Sequence, residues 1–460
     1  MFQNLPHHAD MKAAGDWLPE LPAHWAWDPA RTVFRERKDS GHHDEPLLSV
    51  TIARGVIPQA ELLASTSKKD SSNADKSKYK LVMPGDLVYN KMRAWQGAAG
   101  LSRHRGIVSP AYIVMTPRRG KAAFFHHLVR TPMFAKEAER WSYGITSDQW
   151  SLRPEHFKMI RFPVPPAEEQ GAIVKFLAHA NARIDRAIAA KRRLVTLIQE
   201  EASAQVEALL AAVARDCSEP MFGRVLHRIE QGTSPSAAEG DFDDSRWAVL
   251  SLSAVNRGKF IASAVKPLPA DFAAQEAMSV RDGDLLMTRS NTRERVGDAA
   301  IVRDPRPRTI MPDLIYRLVL RQNLTSPEFA SLALRSRRLR KQIEVVARGS
   351  SDTMPKLAQG HVRALRVPLP SLMDQARIVA EADRISCPVE NTIDRIAAEI
   401  ELLSEFRTRL VADVVTGQVD VRGIAAELPD VDHVAAWGES DLADASDPSG
   451  LDDVLSDSEA

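Results

Sequence analysis

Asn90, Lys91, Arg93, Trp95 and Gln96 crowd together directly after a short apolar run. Their types suit one kind of chemistry. Amide side chains can pair with two edge atoms of adenine and arginine with two of guanine, while lysine neutralises phosphate. The blander alternative is that Lys91 and Arg93 only position a phosphate backbone. Trp95 reads better as a core residue, the commoner fate of a lone tryptophan. A second segment of similar texture, Thr288, Arg289, Ser290, Asn291, Thr292 and Arg293, lies 198 residues further on. Two more segments carry small hydroxyls, glycine and polar groups: Tyr143, Thr146, Ser147 and Gln149, then Arg348, Ser350, Ser351, Thr353 and Lys356. They suit backbone or base contacts, or else ordinary turn chemistry. Arg335, Arg337, Arg338, Arg340 and Lys341 share one predicted helix, as phosphate contacts or as a solvated face.

Catalytic chemistry has no comparable signal. There is no Gly-x-Gly-x-x-Gly and no Gly-Lys-Ser/Thr loop to cradle phosphate. No Asn/Asp-Pro-Pro-aromatic run of an amino-methyltransferase occurs, and Pro312-Asp313 lacks the Glu-x-Lys that would complete a nuclease motif. His42-His43 and His126-His127 are adjacent pairs without metal-ligand spacing, and Cys217 and Cys387 stand alone. The expectation is a protein with no catalytic residues, no metal and no cofactor bound by this chain.

The elements that hold these segments are written twice. Leu48-Ser49-Val50-Thr51 answers Leu250-Ser251-Leu252-Ser253, Arg54-Gly55 answers Arg257-Gly258, and Gly85-Asp86-Leu87-Val88 answers Gly283-Asp284-Leu285-Leu286. Pro110, Arg130, Gly144 and His156 answer Pro312, Arg335, Gly349 and His361. So many matches in one order indicate internal duplication. Short Val-, Ile- and Tyr-rich runs predict strands, and the stretches near 121–141 and 326–346 predict helices. Each half is read as a mixed α+β domain. The largest changes of offset between matched blocks, five and four residues, fall in the polar run 65–78 and the arginine-rich run 289–308, where loops carry the differences.

Each half ends in a proline-spaced strand and a Gln, at Gln170 and Gln375, followed by a long apolar-periodic stretch with an Ile-Asp-Arg triplet. Leu177, Ala180, Ile184, Ala187, Leu194 and Ile198 form one stripe, broken by Lys191. Val389, Ile393, Ile396, Ile400, Leu403, Leu410 and Val414 form the other, broken by Arg407. Such stripes turn toward a partner helix, and antiparallel pairing of the two is expected. The triplet offset exceeds the Gln offset by four residues, and Pro388 falls nearby, so a kink or break is expected there.

Composition adds a class. No apolar run reaches the ~18 residues of a membrane span, and residues 1–18 lack the apolar stretch of a secretory signal. Two cysteines fit a reducing, cytoplasmic setting. The 61 basic and 61 acidic residues cancel only because eleven acidic ones, and no Lys or Arg, follow Arg422. Residues 1–422 carry a net charge of +11. A basic body with an acidic tail suits a nucleic-acid binder.

The sequence resembles the DNA specificity subunit of type I restriction-modification systems over about Leu21 to Arg422. The resemblance rests on Leu21-Pro22-x-x-Trp25, on Gly85 to Gly97, on Pro165 to Gln170, and on Phe406-Arg407-x-x-Leu410 through Val415-Thr416-Gly417-x-x-Asp420-Val421-Arg422. It implies two target-recognition domains separated by two long helices, each domain reading half of a split target on double-stranded DNA. It also implies two modification methyltransferase subunits docked on this chain, which a translocating restriction subunit can join. S-adenosylmethionine, ATP and Mg would then belong to those partners. The boundaries expected are an arm over 1–20, recognition domains over 21–166 and 219–371, helices over 167–215 and 372–417, and a disordered tail over 423–460. A stand-alone DNA-modifying or DNA-cleaving enzyme and a coiled-coil protein-binding scaffold are the alternatives.

Overall fold

The computed structural model describes residues 5–15, 17–64, 75–145, 149–236, 244–272, 278–347 and 354–430. The longer helices are α1 (Ala122–Val129), α2 (Pro132–Arg140), α3 (Ala167–Asp216), α4 (Pro327–Arg335), α5 (Arg337–Val346) and α6 (Leu372–Val415), with a short α7 (Arg422–Glu427). No described helix is long and apolar enough to cross a membrane. The chain divides into two compact units, residues 1–193 with 396–460, and residues 194–395, so that each unit owns part of α3 and part of α6.

The first unit begins with a hairpin of β1 (Met11–Gly15) and β2 (Leu18–Pro22), followed by β3 (Ala26–Pro29) and β4 (Phe34–Arg37). After them come β5 (Leu48–Thr51), β6 (Gly55–Pro58), β7 (Lys80–Val82), β8 (Leu87–Asn90), β9 (Ala99–Leu101), β10 (Gly106–Val108), β11 (Tyr112–Pro117) and β12 (Arg161–Val164). The main sheet is antiparallel with order β4-β11-β8-β9. An aromatic core of Phe34, Phe124, Phe125, Phe134, Phe157 and Phe162 lies under it. The expected N-terminal arm is no separate element. Leu18 and Leu21 are buried in this core, and the pairing of β2 with β1 holds them there.

The second unit contains β13 (Leu226–Gln231), β14 (Ala248–Leu250), β15 (Val255–Asn256), β16 (Lys259–Phe260), β17 (Val265–Pro267), β18 (Leu285–Thr288), β19 (Ala299–Ile301), β20 (Thr309–Ile310) and β21 (Ile315–Leu320). Its main sheet has the order β13-β21-β18-β19, the same as the first unit's. Duplication reaches individual hydrogen bonds. The amide of Asn90 donates to the carbonyl of Ala98, and that of Thr288 to Asp298. In the repeated Gly-Asp turns, Asp86 accepts from the amide of Met83 and from Arg37, while Asp284 accepts from the amide of Arg281 and pairs with Arg317. Turns closed this way explain why Gly-Asp recurs: Gly85 and Gly283 sit at φ +91° and +83°, where only glycine is unstrained.

The two glutamines have one job. Gln170 is buried, accepts from the amide of Lys121 (2.6 Å) and donates to the carbonyl of Pro165 (2.8 Å). Gln375 is buried, accepts from the amide of Ser326 (2.9 Å) and donates to the carbonyls of Leu324 and Pro370. Each joins the start of a long helix to the loop that opens α1 or α4.

Within the first unit, α3 and α6 run antiparallel. Asp185 pairs with Arg407 (3.0 Å), and Lys191, further along α3, pairs with Glu399, further back along α6. The two basic residues that interrupt the apolar stripes therefore carry ion pairs across the seam. Leu177, Ala180 and Ile184 are buried there, as are Leu410 and Val414. Within the second unit, Leu210 of α3 packs with Ile378 and Ala382 of α6 and with Phe329 of α4.

Two expectations need correction. Helix α6 is continuous through Pro388 and does not break there. The proline is exposed, only one backbone hydrogen bond is forgone, and Thr392 Oγ1 donates to the Pro388 carbonyl (2.8 Å). Four extra residues add little more than one turn, so the apolar face is kept. The tail is also ordered further than charge suggests. Residues 422–427 are helical, with Ala425 buried and Ile424 and Leu428 packed on the core, and Asp430 pairs with Lys175 (2.8 Å). Residues 431–460 lie outside the described residues.

Candidate nucleic-acid interface

In the first unit, β8 delivers the chain to a turn at 91–93, a single 3₁₀ turn at 94–96, and Gly97 at φ +93°, before β9 returns. Asn90 is buried, and its Oδ1 accepts the amide of Met92 (2.9 Å). It shapes the turn instead of facing outward. Trp95 donates to the Met92 carbonyl (2.9 Å) and packs edge-on against Trp150 at 5.5 Å. Arg93 donates to Gln96 Oε1 (3.2 Å), and both are half-buried.

The turn is tied to the second candidate segment. The amide of Leu152 donates to the carbonyl of Lys91 (2.7 Å), and Tyr143 bridges to Ser151. Together they line an open cleft of about 490 Å³ that includes Lys91, Tyr143, Ile145, Gln149, Arg153 and Glu155. Tyr143 and Ile145 are exposed, Ile145 at 95%. A Cβ on Gly144 would lie 2.5 Å from the backbone of Gln149, so glycine is required for this close approach. Thr146 and Ser147 lie outside the described residues. Sequence reading missed Arg153, because Arg-Pro-Glu reads as the start of a helix. Its one signal was its place three residues after Trp150, in the same segment.

The second unit repeats the tie. The amide of Leu357 donates to the carbonyl of Arg289 (2.9 Å), and Ser290 bridges to Lys356. Arg289 donates to the Asp313 carbonyl (3.3 Å) and stands 5.9 Å from the Tyr316 ring centre. Tyr316 donates to the Leu357 carbonyl (3.0 Å), and burial pushes its phenol up from the ordinary value. Ser290 is buried with Oγ on the Pro355 carbonyl, and Asn291 is buried with Oδ1 accepting the amide of Thr292. Both build the loop. Thr292, Arg293 and Lys356 are exposed. Arg348, Ser350, Ser351 and Thr353 lie outside the described residues.

The one basic helix expected is two, α4 ending at Arg335 and α5 starting at Arg337, and their basic residues are mostly committed to their own unit. Arg335 donates to the Arg257 carbonyl, Arg340 to the carbonyls of Val296 (2.6 Å) and Glu294 (2.9 Å), and Arg338 pairs with Glu219. Arg337 and Lys341 are exposed.

A duplicated mixed α+β unit, each copy presenting a two-segment polar face and each joined to a long helix through a buried glutamine, defines a class of two-module proteins built on paired helices. The chain resembles, in sequence and in fold, the specificity subunits of type I restriction enzymes. It is 25% identical over 160 residues to the EcoEI specificity subunit of Escherichia coli, covering 35% of this chain and 27% of that protein. It is 22% identical over 379 residues to the EcoKI specificity subunit of Escherichia coli strain K12, covering 73% and 79%. A chain from a structure on complex assembly and conformational transition of the type I restriction-modification system shares the fold at TM-score 0.58 and 18% identity, covering 87% of this chain and 99% of that one. The match thus spans about a quarter of the EcoEI relative's length. No family model matches the chain.

Proposed function

We propose that this chain is the DNA-specificity subunit of a type I restriction-modification complex in the cytoplasm. Residues 21–166 and 219–371 are its target-recognition domains, each reading half of a bipartite site on double-stranded DNA, and the long helices set the gap. The chain is non-catalytic. Two modification methyltransferase subunits dock on it, restriction/translocase subunits can join them, and S-adenosylmethionine, ATP and Mg bind to those partners. The observation that carries this reading is the repeated tie between two distant polar segments, at Lys91 with Leu152 and at Arg289 with Leu357. It gives each unit one composite face on a shared scaffold, with different side chains on the two copies: Lys91, Tyr143, Gln149 and Arg153 on one, Arg289, Thr292, Arg293 and Lys356 on the other. Cationic groups beside polar ones suit phosphate anchoring with base readout.

Methylation mapping of a host genome, with this chain and its modification subunits expressed, tests the proposal. One split adenine-methylated motif is expected. Replacing Lys91 and Arg153 by alanine should alter one half-site, and replacing Thr292 and Arg293 the other. A contiguous motif, or both half-sites unchanged in both variants, refutes it.

A further inference from the structure

Glu169 is a buried carboxylate at the start of α3, and two imidazoles face it. His24 Nε2 lies 2.7 Å from Glu169 Oε2, and His8 Nε2 lies 3.6 Å from Oε1. One donor atom from each of the three residues lies within 4.8 Å of the others. The residues are 16 and 145 positions apart in sequence. They meet because the segment ahead of β1, the β2–β3 turn and the start of α3 converge. Ordinary structural hydrogen bonding explains the His24–Glu169 contact, but not why a second imidazole turns its Nε2 to the same carboxylate.

The far side of His8 is informative. Its Nδ1 faces Asp420 Oδ2 at 3.9 Å, so the ring stands between two carboxylates with Nε2 directed at the cluster. A carboxylate on the distal side of a ligating histidine raises its basicity; at 3.9 Å Asp420 acts on His8 through its charge and not through a hydrogen bond. Asp420 is itself held by Arg422, through bonds of 2.9 and 2.7 Å.

We propose that His8, His24 and Glu169 bind one divalent transition-metal ion of the zinc class, with the Asp420 carboxylate on the far side of His8. Two imidazoles and a carboxylate form a donor set that zinc accepts, leaving a fourth position for water. A tetrahedral ion with bonds of about 2.0–2.1 Å places its ligands roughly 3.3 Å apart, so His24 and Glu169 would separate by a few tenths of an ångström as the ion replaces the shared proton. His24 is the exposed member and can move. The ion would fasten the N-terminal segment to α3 and, through Asp420, to the turn after α6.

The test is equilibrium dialysis of the full chain against Zn²⁺ at roughly micromolar concentration, followed by elemental analysis, with Co²⁺ as a spectroscopic substitute. One equivalent per chain is expected, with a ligand-field spectrum of nitrogen and oxygen donors. His24→Ala and Glu169→Gln should each weaken that equivalent at least tenfold, and Asp420→Asn less than either. His42→Ala, outside the cluster, should leave it unchanged. Circular dichroism checks folding, and the exposed His24 position decides if Glu169→Gln does not fold. Less than one equivalent in the wild type, or equal binding by wild type and His24→Ala, overturns the proposal.

Discussion

Gln170→Ala would remove the acceptor for the Lys121 amide, which is partly buried, and the donor for the Pro165 carbonyl, which is buried. A buried backbone group left unpaired costs about 1–3 kcal/mol, so the two together cost about 2–5 kcal/mol. That is a large share of the ~5–15 kcal/mol by which domains are stable. The structure also names a coupled partner. Gly120 sits at φ +80°, and a Cβ there would lie 2.5 Å from Gln170 Oε1 and 2.8 Å from Nε2. Gly120→Ala therefore costs about 1 kcal/mol for the backbone and more for displacing the amide. In the Gln170→Ala background that obstruction is gone, so the double variant should be about 1–2 kcal/mol more stable than additivity predicts. Urea unfolding followed by tryptophan fluorescence suits the measurement, because Trp17, Trp25, Trp27, Trp95, Trp141 and Trp150 all belong to the first unit. A Gln170→Ala change below about 0.5 kcal/mol, or strict additivity with Gly120→Ala, would refute the clamp.

Gly417, at φ +77°, presses its backbone against Pro22 and Trp25, so Gly417→Ala should destabilise the first unit by about 2–4 kcal/mol in the same assay. A double-mutant cycle on Asp185 and Arg407, a mostly buried pair, should give a coupling of about 1 kcal/mol or more, whereas the fully exposed Arg384–Glu381 pair should give no measurable coupling. His126 is buried and accepts the Leu101 amide, and burial followed by Arg130 holds its pKa well below the usual value. The unfolded chain then takes up a proton near pH ~6.5 while the folded chain does not, so stability is full above that pH and falls by up to ~1.4 kcal/mol per unit below it. His126→Asn should flatten that acid limb in thermal melts at stepped pH; an unchanged slope would show the group has little weight.

The repeat was legible because it is a matter of order and spacing. Gln170 and Gln375 stood out as matched positions, but their role was hidden, since Lys121 and Ser326 lie 49 residues earlier in each case. Lys191 and Arg407 read as faults in a stripe because their acidic partners lie more than 200 residues away in sequence. Asn90, Ser290 and Asn291 carry a second demand that residue type does not show. Their types suit base edges, but a strand that ends in a tight turn needs acceptors for its own amides, and these side chains supply them or pack inside. Residue type cannot tell which demand wins; burial does. The His8, His24 and Glu169 cluster has no local spacing at all, and only the meeting of three segments creates it.

The first unit is discontinuous, and its core mixes Leu18, Leu21 and Trp25 with Val414, Val419 and Val421. The His7 ring contacts the Gln418 carbonyl, and the Asp420 amide donates to the Pro6 carbonyl. These contacts have a consequence during synthesis. Residues 194–395 form an uninterrupted unit that can finish folding once it leaves the ribosome. The first unit cannot, because part of its core has not been made. At ~5–20 residues per second, the opening hairpin waits roughly 10–40 s while the second unit is translated, with apolar surface uncovered. Loop closure over some 400 residues then completes it, the slow, non-local kind of step that exposes a nascent chain to aggregation. The unit begun first is thus the one completed last.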